Sequence, residues 1–256
     1  IGGASGSMTI GSGDAAGGES GDVKIAVGAG SNGIGGSLIL QSGSSSRLTG
    51  GSIGLISGPG STSSSGTVFI SSGNSGIKGT SGSVVLKTGT SSSGASGAVA
   101  IVTGRALGGK SGDITLSVGN GNSGDGGQVN VYAGDASAES GHGGSIYMSA
   151  GDSTHERGGS GGAILISTGG SKGEQGGNLT LSVGSGGGTS NGGSVTISAG
   201  DTTANNAIGG SVQIAAGAGL SRVGGEGGDI QLLAGDGAGA TGGSIFLKTG
   251  EGEKSS

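Results

Sequence analysis

Sixteen copies of one phrase, Gly-x-h-x-h-x-x-Gly with h a large apolar residue, run the length of this chain. Self-similarity at so short a period restricts the chain to stacked or wound arrays before any chemistry is considered. The opening glycines stand at 6, 21, 36, 51, 66, 82, 97, 112, 127, 144, 162, 177, 193, 210, 228 and 243, and the residue seven further on is glycine in every copy. The first apolar column begins Met8, Val23, Leu38 and ends Ile245; the second begins Ile10, Ile25, Leu40 and ends Leu247. Two apolar residues separated by one, rich in β-branched types and bounded by glycine, have the period of a strand, not of a helix. A third position on the same side, at Ala133, Ala150, Thr168, Ala199 and Ala216, is smaller.

Between copies lie seven to ten residues of Gly, Ser, Thr, Asn and Ala. These read as turns. Asp or Asn recurs straight after the closing glycine, at Asp14, Asn74, Asn120, Asp135, Asp152, Asp201 and Asp236, where a short polar side chain can bond its own backbone and accept a left-handed conformation. The expected fold is therefore all-β: a parallel β-solenoid of sixteen strand-turn repeats, each 15 to 18 residues long, with identical residues stacked rung on rung. The alternative is an antiparallel closed ring or propeller-like stack. The last eight copies favour units of four, because 127, 144, 162 and 177 reappear 66 residues later at 193, 210, 228 and 243. Residues 1–256 read as one continuous array that starts and stops inside the pattern, as a piece of a longer chain or one protomer of a fibre would.

Glycine accounts for 72 of the 256 residues, yet there is one proline and no three-residue glycine period, which removes collagen. Disorder is the ordinary reading of so much glycine, but apolar residues kept in two columns sixteen times point to organised burial instead. The net charge of -5 gives no basic face for a phosphate backbone, so nucleic acid is not an expected partner. No run approaches the roughly 18 apolar residues of a membrane span. Glu251, Glu253 and Lys254 make a polar tail.

The outward side of the strands carries all four aromatics, Phe69, Tyr132, Tyr147 and Phe246, together with Ile39, Ile56, Val85, Val102, Leu165 and Leu233. An exposed sheet would not normally show so many. Ile39, Ile56, Phe69, Val85, Tyr132, Tyr147, Leu165, Leu233 and Phe246 thus form a candidate assembly face, covered by a second sheet or a second subunit.

Chemical motifs are few. Gly104-Arg105-Ala106-Leu107-Gly108-Gly109-Lys110-Ser111 matches the phosphate-binding pattern GxxxxGK[ST], but that pattern needs a helix after its Lys-Ser, and Gly112-Asp113-Ile114-Thr115-Leu116 is the eighth repeat. His142 and His155 lie in separate connectors without the partners of a metal cage or a triad. A calcium ladder of the GGxGxDxUx type fails in Gly224-Gly225-Glu226-Gly227-Gly228-Asp229-Ile230-Gln231, where Gln231 takes the apolar place. An ice-binding column would be threonine throughout, whereas the middle outward position reads Thr9, Lys24, Ile39, Gly54, Phe69. Asn178-Leu179-Thr180 is an N-glycosylation sequon. No catalytic, cofactor-binding or metal residue is assigned, and no cofactor is expected.

Phrases such as Gly193-Ser194-Val195-Thr196-Ile197-Ser198-Ala199-Gly200-Asp201 and Gly144-Ser145-Ile146-Tyr147-Met148-Ser149-Ala150-Gly151-Asp152 resemble the Gly/Ser-rich repeats of extracellular surface and fibre proteins of heterokont algae, of the flagellar-hair type. The resemblance covers the whole chain and carries over no functional residue. It implies an extracellular or cell-surface fibre protein; the stacked repeats, whose ends carry no polar cap, lead to the expectation of a structural protein that assembles into a filament with other copies of itself, and the Asn178 sequon and the turn Ser and Thr residues are sites a glycan could occupy if the chain is secreted. A surface binding module, either a carbohydrate adhesin or an ice binder, is the alternative. Enzymatic activity is not expected.

Overall fold

The computed structural model describes residues 3, 5–155, 158–188 and 190–252. Glu253 and Lys254 of the polar tail lie outside the described residues. The chain divides into two units, Ile1–Val129 and Asn130–Ser256, with the boundary inside the ninth copy.

The expected β-solenoid is not what the chain forms. Among the described residues there is no β-strand and no helix. The antiparallel ring and the propeller, which also need paired strands, fall with it. Nor is there a core: no described hydrophobic side chain is buried. Val195 and Ile197, placed in the interior by the repeat, are 59% and 67% exposed. The total accessible surface is 25571 Å². A folded 23.1 kDa monomer has roughly 9,700 Å² and its unfolded chain about 33,500 Å². By that measure the single chain hides little of its surface.

The period-two pattern nevertheless survives as a gradient of exposure. From the second copy on, the first apolar column is 51% to 62% exposed and the second 60% to 85%, whereas the proposed assembly residues on the other side range from 73% at Val85 to 93% at Ile56, so the two sides differ clearly at the first column and overlap at the second. Such alternation is that of an extended chain with two distinct sides. We call each eight-residue copy an arm. What the arms lack is lateral pairing, because the backbone hydrogen bonds recorded among the described residues belong to the connectors and their flanks.

The connectors do turn the chain, with bends at 46–48, 61–63 and 107–109 for example. Their closure is local and recurrent. The opening glycine of one arm donates its N–H to the carbonyl of the closing glycine before it: Gly51 to Gly43 at 2.8 Å, Gly144 to Gly134 at 2.8 Å, Gly177 to Gly169 at 2.9 Å and Gly243 to Gly235 at 2.8 Å. The same bond joins Gly66 to Gly58, Gly162 to Gly151, Gly193 to Gly184, Gly210 to Gly200 and Gly228 to Gly217. Nine of the fifteen connectors show this bond; it fixes a turn but leaves the six residues of the arm beyond it unpaired.

The turn chemistry differs from expectation in one respect. None of the seven Asp and Asn residues after the closing glycines takes a left-handed conformation; among the described non-glycine residues only Asn206 does, at φ 59°. Positive φ is otherwise carried by glycines such as Gly108 and Gly124, which have no Cβ to clash. Bonding of a side chain to its own turn falls instead to the residue after the Asp or Asn position. Ser45 Oγ accepts from Leu48 N–H at 2.9 Å, Ser171 Oγ from Glu174 N–H at 2.9 Å, and Thr202 Oγ1 from Ala204 N–H at 3.2 Å. A hydroxyl one position deeper in the turn has the reach to meet an N–H two or three residues on. In other connectors that second position is glycine, and at Gly237 an added Cβ would stand 2.6 Å from the carbonyl oxygens of Ala240 and Thr241.

Candidate assembly surface

Each junction between arms is built from one contact. The opening glycine of an arm lies over the third small residue of the arm before. An added Cβ on Gly51 would stand 3.3 Å from Ser42 Cβ, on Gly144 3.3 Å from Ala133 Cβ, on Gly177 3.3 Å from Thr168 Cβ, and on Gly210 3.2 Å from Ala199 Cβ. Where the third residue is valine the approach is closer still, 2.7 Å from Val27 Cγ1 for Gly36 and 2.7 Å from Val118 Cγ1 for Gly127. The closing glycines are different: an added Cβ at Gly43, Gly134, Gly200 or Gly235 meets nothing within 4 Å. Two glycines that look equivalent in the repeat thus do different work. The opening one permits close approach, and the closing one supplies the carbonyl.

This contact fits the small size of the third position in most copies, valine standing there at 27, 118 and 183. Ser42, Ser57, Ala133, Ala150 and Ala199 are partly covered, and apart from Ala106 in a connector the other described residues are exposed. Val27, Val118 and Val183, at 46% to 48%, are the most covered large apolar residues. The third position touches the next arm and the opening glycine touches the previous one, and both lie on the side that carries the two apolar columns. Junction contacts therefore consume only the two ends of that side. Its middle, and the whole of the opposite side, remain free.

The third and fourth copies show what remains free most clearly. Their junction is doubly bonded, since Ser42 Oγ donates to Gly51 O at 2.9 Å beside the Gly51 to Gly43 bond. Beyond it the two arms hold an open groove of about 500 Å³, lined by Leu40, Ser42, Ile53 and Leu55 among others. Its lining is mixed, Gln41 and Ser52 standing beside the aliphatic side chains, and it takes in Ile39 of the opposite side as well.

On the opposite side, Ile39, Ile56, Phe69 and Val85 of the first unit are all exposed, as are Tyr132, Tyr147, Leu165, Leu233 and Phe246 of the second. The structure gives each of these nine an open position and brings none of them into a cluster that would bury it. Asn178 is likewise exposed and sterically open to a glycan.

The remaining motifs meet no constellation. Lys110 of the GxxxxGK[ST] string pairs with Asp113 at 3.0 Å, both side chains being well exposed, and no helix follows. Lys248 pairs similarly with Glu251 at 3.1 Å. Among the described residues, no three of His, Cys, Asp and Glu gather where they could hold a metal ion. No described helix is long and apolar enough to cross a membrane.

No family model matches the chain, and neither a curated protein nor a solved structure matches it. The functional reading accordingly rests on the repeat and on the surface it exposes.

Proposed function

We propose that this is a structural protein whose copies associate into an extracellular filament or surface appendage, the arms of one chain being covered by the arms of another. The observation that carries the reading is the combination of regularity and exposure. Two ordered columns of Val, Ile and Leu recur in every copy, yet no described apolar side chain is buried within the single chain. Apolar surface on this scale is strongly favoured to leave water, at about 25 cal/mol per Å². The unpaired N–H and C=O groups of the arms add a directional term, since an exposed row of them is a template for pairing with another chain.

The arms have none of the usual protections against such pairing. The single proline, Pro59, lies in a connector, and eleven of the sixteen arms contain no charged residue. An extracellular setting is supported by the resemblance to algal fibre proteins and by the exposed sequon at Asn178.

The test is negative-stain electron microscopy with light scattering on purified chain over a concentration series. Fibres above a threshold concentration are expected; strictly monomeric material at high concentration would overturn the reading. Intact mass of the native material against 23.1 kDa tests the glycan separately.

A further inference from the structure

The connectors are not all of one length, and their order is informative. Along the chain they contain 7, 7, 7, 7, 8, 7, 7, 7, 9, 10, 7, 8, 9, 10 and 7 residues. The first part is nearly uniform and the second is not. If one copy of the chain lies along another, a connector longer than the one it meets cannot keep both of its flanking arms aligned. In a chain of period two, a one-residue misfit also turns the apolar side of the next arm away from its partner.

Resting on the assembly reading above, we propose that the occupant of the exposed arms is a second copy of this chain, laid parallel and at zero offset, and that connectors nine to fifteen lock that register. At zero offset every connector meets one of its own length, and each arm meets an identical arm. A slip of one copy is tolerated through most of the first part but mismatches every pair of connectors in the second. Slips of two or three copies mismatch them as well. Only a slip of four copies, 66 residues, restores agreement in the second part, matching 9, 10 and 7 with 9, 10 and 7. That slip leaves four of the sixteen arms of each chain with no arm opposite and still mismatches the eighth connector with the twelfth, so it buries less.

Charge permits the same arrangement. Identical stacking sets like charges on one another; six of the 27 charged residues, Asp22, Lys24, Lys87, Asp113, Asp229 and Lys248, lie within the arms, and the other 21 lie in the connectors and the tail, where they can spread into solvent. The junctions permit it too, because closing glycines have open space about them and the opening glycine is committed to its own chain. Low charge and no proline, in short segments rich in β-branched residues, are the properties that let identical segments stack.

The chain contains no cysteine, so introduced cysteines report position without interference. Ser145, Ser194 and Ser211 occupy the same outward place in the tenth, thirteenth and fourteenth copies and are all exposed. Parallel neighbours about 4.8 Å apart fall within the Cα separation that a disulfide accepts. The full-length variants Ser145→Cys, Ser194→Cys and Ser211→Cys are assembled singly and in isotope-labelled pairs, oxidised, and read by mass.

The expected result is a Ser145→Cys homodimer in sedimented material, at least tenfold above the Ser145→Cys with Ser211→Cys heterodimer. The pair with Ser194→Cys should stay at background. Heterodimers equal to or above homodimers, or no homodimer in sedimented material, would overturn the register while leaving assembly intact. Failure of the wild-type chain to sediment would instead overturn the assembly reading on which the register depends.

Discussion

The amide of Gly210 donates a 2.8 Å hydrogen bond to the carbonyl of Gly200, ten residues earlier, and the two glycines are not interchangeable. A Cβ on Gly210 would meet Gly200 N at 3.1 Å and Ala199 Cβ at 3.2 Å, whereas a Cβ on Gly200 would meet nothing within 4 Å. The neighbour of Gly210 includes backbone, which cannot rotate aside.

Gly210→Ala is therefore expected to loosen its junction, since the Gly200 backbone must give by a few tenths of an ångström to admit the Cβ, while Gly200→Ala leaves it closed. The temperature dependence of the residue-210 amide shift reads the difference: it should rise to that of a solvated amide in the first variant and stay unchanged in the second. Equal behaviour of the two would remove the distinction between opening and closing glycines.

The apolar columns are expected to govern association and not the shape of the single chain. Burying a Val or Ile side chain is worth about 1.5–3 kcal/mol, so Val195→Ser with Ile197→Ser should raise the critical concentration for assembly by roughly 100-fold or more. The circular dichroism of the dilute chain should not change. A connector substitution such as Asn205→Ser serves as control and should leave the threshold within about twofold.

Salt is expected to promote association. Copies of a chain carrying -5 repel one another, and at 0.1 M ionic strength the Debye length is about 10 Å. Raising sodium chloride from 20 to 500 mM should shorten the lag measured by light scattering. Lengthening of the lag by salt would show that attraction between opposite charges, not apolar burial, drives assembly.

Lys110 is expected to be dispensable. Its pair with Asp113 is exposed on both sides, and exposed pairs contribute about 0–1 kcal/mol at most. Lys110→Ala should leave the assembly threshold unchanged, and ATP with magnesium should give no saturable heat in calorimetry with either protein. Saturable binding lost in the variant would restore the phosphate-site reading that the missing helix argues against.

Much of the local structure was legible in the residues. The alternation of Leu38, Ile39 and Leu40 announces two sides, and the two sides are there as a difference in exposure. The Gly/Ser/Thr connectors announce turns, and the chain bends in them. What the repeat could not say is whether the ladder closes within one chain. Identical columns specify which residues would stack, but nothing in Val195 or Ile197 indicates whether the partner strand belongs to the same molecule. The two glycines of each copy are also indistinguishable as letters, and only the positions of Ala199 and Val118 separate them. The sequence does carry one signal for the turn: the second connector residue is small throughout, as at Ser45, Gly60, Ser171, Thr202 and Gly237, which marks a tight turn position one residue beyond the Asp and Asn.

The most direct test of the account is amide hydrogen exchange of the arms, measured on the dilute chain and again on sedimented assemblies. In the dilute chain the amides of residues such as Val195, Ile197, Val212 and Ile214 should exchange close to their intrinsic rates, and in assemblies they should become strongly protected. Protection of those amides already present in the dilute chain, and independent of concentration, would contradict it.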